Sequence, residues 1–120
     1  MKPGDFVAAL FLARDVTHRV HLSTRSYAKH MALAGFYEAV VGLADSFAET
    51  YQGRHGVISN IPLASTKQSG NVLDFLEGQL KEIEEERYKV CDRDETAIQN
   101  IIDEIVALYL TTIYKLKFLA

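Results

Sequence analysis

Apolar residues return every three or four positions along most of this chain, and short polar or glycine-containing breaks divide them into four runs. That is the period of an α-helix, whose turn of 3.6 residues lines up positions i, i+3, i+4 and i+7; a strand would alternate by two. In the first run Phe6, Leu10, Ala13, Thr17 and Val20 share a face, and Asp5 stands where its carboxylate can cap the free N–H groups of a first turn. The second run starts near Ser26, carries His30, Ala34, Tyr37, Val41, Ala44 or Asp45, and Ala48 along one stripe, and meets Gly53 as a stop. In the third, Leu73, Leu76, Leu80, Ile83, Arg87 and Val90 form a bundle seam, backed by the solvated charges Lys81, Glu82, Glu84, Glu85 and Glu86. The fourth follows a break at Cys91-Asp92, where Asp92 and Glu95 resemble a capping box, and has a wide apolar face from Ile98 to Leu116. The pattern predicts helices over about 5–22, 26–52, 72–90 and 93–118, all in one domain spanning 1–120.

The connections set the topology. The first and last are short, so each joins an antiparallel hairpin. The middle one, GRHGVISNIPLASTKQSG, holds Gly53, Gly56, Pro62 and Gly70. A helix over 26–52 is about 40 Å long, and the middle connection drawn out reaches roughly 60 Å. It can therefore run back along the bundle and set the third helix parallel to the second. The expected fold is all-α, a ferritin-like four-helix bundle with one long B–C crossover; an up-and-down bundle with a long loop is the alternative.

Composition narrows the function classes. The chain has 120 residues, 48% hydrophobic and 24% charged, which suits a single globular domain with a core of its own. Its net charge of −3 gives no general attraction to nucleic acid. A single cysteine, Cys91, rules out an internal disulfide and fits a reducing compartment, so a cytoplasmic location is expected. No run of eighteen apolar residues stands out, so no membrane span or membrane partner is expected. There is no phosphate-binding glycine loop, no paired-cysteine metal motif and no basic partner that would activate Cys91.

The candidate chemistry lies in "HRVHLSTRSYAKH", which holds His18, His21 and His30, three of the four histidines. Asp45 and Glu49 follow, four apart, and so share a helix face. Histidine nitrogen with carboxylate oxygen suits iron, manganese or zinc. One straight helix cannot close such a site, because His30 and Asp45 are about 22 Å apart along it. Two copies of that helix, antiparallel about a two-fold axis, would bring the histidine end of each to the carboxylate end of the other. His55, in the middle connection, is expected to be exposed to solvent.

The offsets of 12, 15 and 4 linking His18, His30, Asp45 and Glu49 resemble the ferroxidase pattern of Dps proteins, the mini-ferritins. By local context His21-Leu-Ser-Thr-Arg-Ser is the better match to that family's first histidine, with His18 the alternative. The text "HLSTRSYAKHMALAGFYEAVVGLADSFAETYQG" also looks like small, uncharacterised phage-encoded relatives of the ferritin-like fold. The resemblance implies a metal site of His21 (or His18) and His30 from one subunit with Asp45 and Glu49 from its partner. It implies Fe(II) binding and oxidation, a homo-oligomer with at least a two-fold, and a cytoplasmic location, the host's if phage-encoded. The tryptophan that follows the family's first histidine is absent, and without a lysine-rich N-terminal tail DNA binding is not expected. The alternative function is a non-enzymatic ferritin-like assembly or interaction protein, its polar cluster structural or zinc-binding.

Overall fold

The computed structural model describes residues 1–66 and 71–120; Gly70, read above as part of the middle connection, lies outside them. The described residues form four helices and no strands: α1 (Pro3–Ser23), α2 (Tyr27–His55), α3 (Val72–Val90) and α4 (Thr96–Phe118).

Each boundary has a local cause. α1 begins two residues before the expected cap. Pro3, with no N–H to lose and φ already set for a helix, occupies its first turn, and the Asp5 carboxylate accepts from the Lys2 backbone N–H at 3.1 Å. The Ser26 hydroxyl accepts from the Lys29 N–H at 3.1 Å and starts α2. Gly53 does not stop that helix. It continues to His55 and ends at Gly56, whose φ of 87° lies in the left-handed region. Asn71 caps α3 through the Leu73 N–H at 2.7 Å. α4 begins at Thr96, three residues later than expected, because Asp92–Glu95 is used as a turn, closed by the Glu95 N–H on the Asp92 carbonyl at 3.1 Å.

α1 packs on α2 and α3, and α4 packs on α2 and α3, so α2 and α3 sit on a diagonal. Each neighbouring pair is antiparallel. Phe6 meets Phe47 and His21 meets His30 across α1 and α2. Phe36 meets Tyr109 near the start of α2, and His55 meets Glu95 at its end. Gln79 bonds to the Ala9 carbonyl, Arg87 to Gln99 and Lys117 to Glu77. α2 and α3 therefore run in the same direction. Residues 56–66 pass over α1, and the Asn60 carbonyl lies so close to Gly4 that a Cβ there would sit 1.9 Å from it. The bundle measures 44 × 25 × 22 Å.

The core is mainly apolar, with Phe6, Leu10, Leu33, Phe36, Phe47, Leu76, Ile83, Ile102 and Ile105 buried. One polar chain crosses it. The Tyr109 hydroxyl donates to Gln79 Oε1 at 2.7 Å, and Gln79 Nε2 donates to the Ala9 carbonyl at 3.0 Å, tying α4, α3 and α1 together. Burial pushes the Tyr109 phenol well above its ordinary range, so it stays protonated as the donor.

α2 bears on the expectation of no membrane span. Over 18 residues its mean hydropathy is 1.3, long and apolar enough to cross a membrane by length and composition. Reading by unbroken runs misses this because Glu38 and Asp45 interrupt the apolar stretch. In the bundle the same helix buries Leu33, Phe36, Val40, Ala44 and Phe47 against its neighbours, and 33% of that window is buried.

Candidate metal centre

The α1–α2 turn is only Thr24–Ser26, and the Ser26 N–H bonds to the Thr24 hydroxyl at 3.2 Å. So tight a turn sets the end of α1 directly against the start of α2, and His21 faces His30. Their contact is reciprocal. His21 Nδ1 lies 2.7 Å from the His30 carbonyl oxygen, and His30 Nδ1 lies 2.8 Å from the His21 carbonyl oxygen. A carbonyl only accepts, so both Nδ1 atoms carry the proton and donate. In the neutral imidazole each Nε2 then holds a lone pair. The rings stack with centroids 3.7 Å apart and planes 17° from parallel. His21 is buried and His30 partly so. Neither Nε2 has a partner among the described residues, and no buried side-chain nitrogen or oxygen there goes unbonded, so these atoms reach solvent.

His18, one turn earlier, is engaged differently. Its ring stacks on Tyr37 at 4.1 Å and lies 6.0 Å from the His21 ring. Tyr37 also meets His21 edge-on at 5.2 Å, and the Arg14 guanidinium lies 5.8 Å from the Tyr37 ring centre. Tyr37 and Arg14 thus belong to the surroundings of the histidine pair, which the sequence reading did not assign. Tyr37 could have been placed there, since seven residues from His30 is two helical turns on one face.

Asp45 and Glu49 stand exposed on the outer face of α2, with no hydrogen-bond or ion-pair partner among the described residues. They are far along the helix from His30, and no three His, Cys, Asp or Glu side chains among the described residues of one chain group closely enough to hold an ion. One chain therefore keeps the histidine pair and the carboxylate pair apart. The histidine pair has its Nδ1 atoms fixed by backbone carbonyls, an arrangement in which imidazoles can serve as metal ligands. The carboxylate pair supplies oxygen atoms of the kind that ligate a cation.

His55 is exposed, as expected, but its place differs. It is the last residue of α2, not part of the connection, and its Nε2 pairs closely with Glu95 Oε1. Glu95 Oε2 accepts from the Asp92 N–H at 2.7 Å, and the Tyr51 ring lies 4.5 Å from His55. Burial alone would push the Glu95 carboxyl up; the Asp92 N–H and His55 outweigh it and hold it below the usual carboxylate range. Burial, with Glu95 and Cys91 nearby, raises the Tyr51 phenol. Cys91 is buried, and its Sγ accepts from Gln99 Nε2 at 3.1 Å, so it is a packing residue of the α3–α4 turn.

Comparison with known proteins places the chain near bacteriophage sequences. It is 27% identical over 124 residues to an uncharacterized 14.6 kDa protein from the mobD–ri intergenic region of Enterobacteria phage T4, an alignment covering 97% of this chain and 88% of that protein. No solved structure matches it. The family that matches is not the mini-ferritin family whose spacing the histidines resemble, and it carries no assigned function. It matches residues 21–116, from His21 to the last turns of α4, leaving His18 outside. With most of its length so matched, the chain belongs to DUF5856, a family of unknown function.

Proposed function

We propose that the protein is a Dps-like metal-binding protein that takes Fe(II) as substrate at two identical sites shared across a dimer two-fold. In each site His21 and His30 come from one chain and Asp45 and Glu49 from the other. The observation that carries this reading is the reciprocal His21–His30 bonding, which turns both Nδ1 atoms to the backbone and leaves both Nε2 lone pairs for a cation. The unpaired carboxylates fifteen and more residues along α2 are the complementary half. The fold in this reading is ferritin-like, supported by four antiparallel neighbours and a parallel α2–α3 diagonal. Among the described residues the middle of the bundle is filled by Phe36, Leu33, Ile105 and Tyr109 and groups no metal-ligating side chains.

The chemistry follows from the donors. Neutral nitrogens hold Fe(II) without adding charge, and two carboxylates favour Fe(III) as it forms. Each Fe(II) gives one electron to dioxygen or hydrogen peroxide from solution. Zinc and manganese are the other ions this donor set accepts. The likeness to a phage protein supports the host cytoplasm as the place of action.

A second reading rests on the same bonds. The rings staple the α1–α2 hairpin, so the pair also suits a non-enzymatic helical assembly with a structural polar cluster or a bound zinc. Chelation separates the two. A structural zinc site loses stability or its dimer when stripped, whereas a substrate site empties and leaves the dimer folded.

The direct test is Fe(II) added to the metal-free protein, first without oxygen to read binding, then in air to read Fe(III) formation. Wild type should bind and oxidise iron, and His30→Ala and Asp45→Ala should each weaken binding at least ~10-fold. Oxidation no faster than in buffer, with no iron bound, would end the reading.

A further inference from the structure

α2 has an outer face that the bundle leaves uncovered, made of Met31, Gly35, Glu38, Ala39, Gly42 and Ser46 with the two carboxylates. Its glycines have no explanation within one chain. Gly35 and Gly42 lie inside a helix with ordinary dihedrals, and a Cβ on either would meet nothing within 4 Å. Each costs the helix about 1 kcal/mol relative to alanine. Glycine at such a position is useful where another backbone comes close from outside.

We infer that this face binds α2 of a second copy, antiparallel, with Gly35 opposite the partner's Gly42, and that this register completes the proposed metal site. The inference rests on the reading above and adds to it the surface and the register. Gly35, Gly42 and Glu49 recur every seven residues, so they fall on one line of the helix, drifting by about 20° per step. A two-fold axis between positions 38 and 39 sets Gly35 over the partner's Gly42, and the reverse. The same axis sets His30 level with position 47 of the partner, midway between the partner's Asp45 and the partner's Glu49. Each carboxylate is then only about 3 Å along the helix from the level of His30. The register from the unexplained glycines and the register the ligands require are thus the same, although neither was used to find the other. Asp45 and His30 lie progressively further round α2 toward α1, so the shared site forms along the α1 edge of the contact.

Charge agrees with the pairing. Arg14 and Arg25 stand by the histidine end, while Glu38, Asp45 and Glu49 occupy the middle and far half of the α2 face. Antiparallel packing brings the basic end of each copy over the acidic half of the other, and an isologous contact repeats that match twice.

Single-cysteine variants test the register without metal. Gly35→Cys and Gly42→Cys are mixed in chelator and oxidised. The expected result is a disulfide-linked pair of 13.5 kDa chains in the mixture and little in either variant alone, because like positions are about 10 Å apart along the helices. Cys91 is buried and should not contribute. In parallel, Gly42→Leu should keep its helical circular dichroism and weaken association about tenfold or more in sedimentation equilibrium. A monomeric wild type, or cross-linking that is equal in the mixture and in each variant alone, would overturn the inference. Cross-linking by a protein that binds no Fe(II) would leave the interface standing and remove only the metal reading.

Discussion

In the proposed reading His21 and His30 do two things at once, one through each ring nitrogen. Each ring satisfies the other's backbone carbonyl through Nδ1, which holds the hairpin, and each leaves Nε2 without a partner among the described residues. His18 stacks on Tyr37 and has no such bond. Stability therefore separates the structural roles of His21 and His18. His21→Ala should cost about 2 kcal/mol, from a lost buried contact and a carbonyl deprived of its donor. His18→Ala should cost less than about 1 kcal/mol. Urea midpoints at constant m read the difference, and equal losses would mean that the reciprocal bonds hold nothing. The types and offsets of these residues were legible in the sequence because helical spacing and a short turn are local. The ring-to-carbonyl bonding was not, because it depends on how closely two helices approach.

At the scale of elements, the four helices follow from their apolar period, and α3 falls where the pattern puts it. The errors fall at the ends. Gly53 sits in open space where a helix tolerates glycine, and the stop comes at Gly56, the position that takes a positive φ. The three extra residues carry His55 to Glu95, a contact between positions forty apart that no local pattern contains. That contact has a pH signature. Glu95 is held below the ordinary carboxylate value of 4.5, so the folded state binds its proton less readily than the unfolded chain does. Its contribution is fully present above that value and is lost as pH falls through the lower folded one. Thermal melts should be level toward neutrality in this respect and decline in acid, and Glu95→Gln should flatten the acid decline. An unchanged acid limb in the variant would show that the pair does not couple to folding.

For the whole molecule, the crossover was readable as a matter of reach, since the middle connection is long enough to return along the bundle. α2 and α3 run in the same direction, as that reading expects, and their diagonal placement leaves the outer face of α2 exposed. Among the described residues of one chain the histidines and the carboxylates of α2 do not come together. The central claim is that two chains bring them together. It is tested most directly by mixing His30→Ala with Asp45→Ala, letting subunits exchange, and measuring Fe(II) oxidation. Random pairing gives heterodimers in which one site has both native halves and the other has neither, so activity absent from each variant should return to about a quarter of the wild-type rate. A mixture as inactive as its components, after exchange has been verified, would contradict a site shared between subunits.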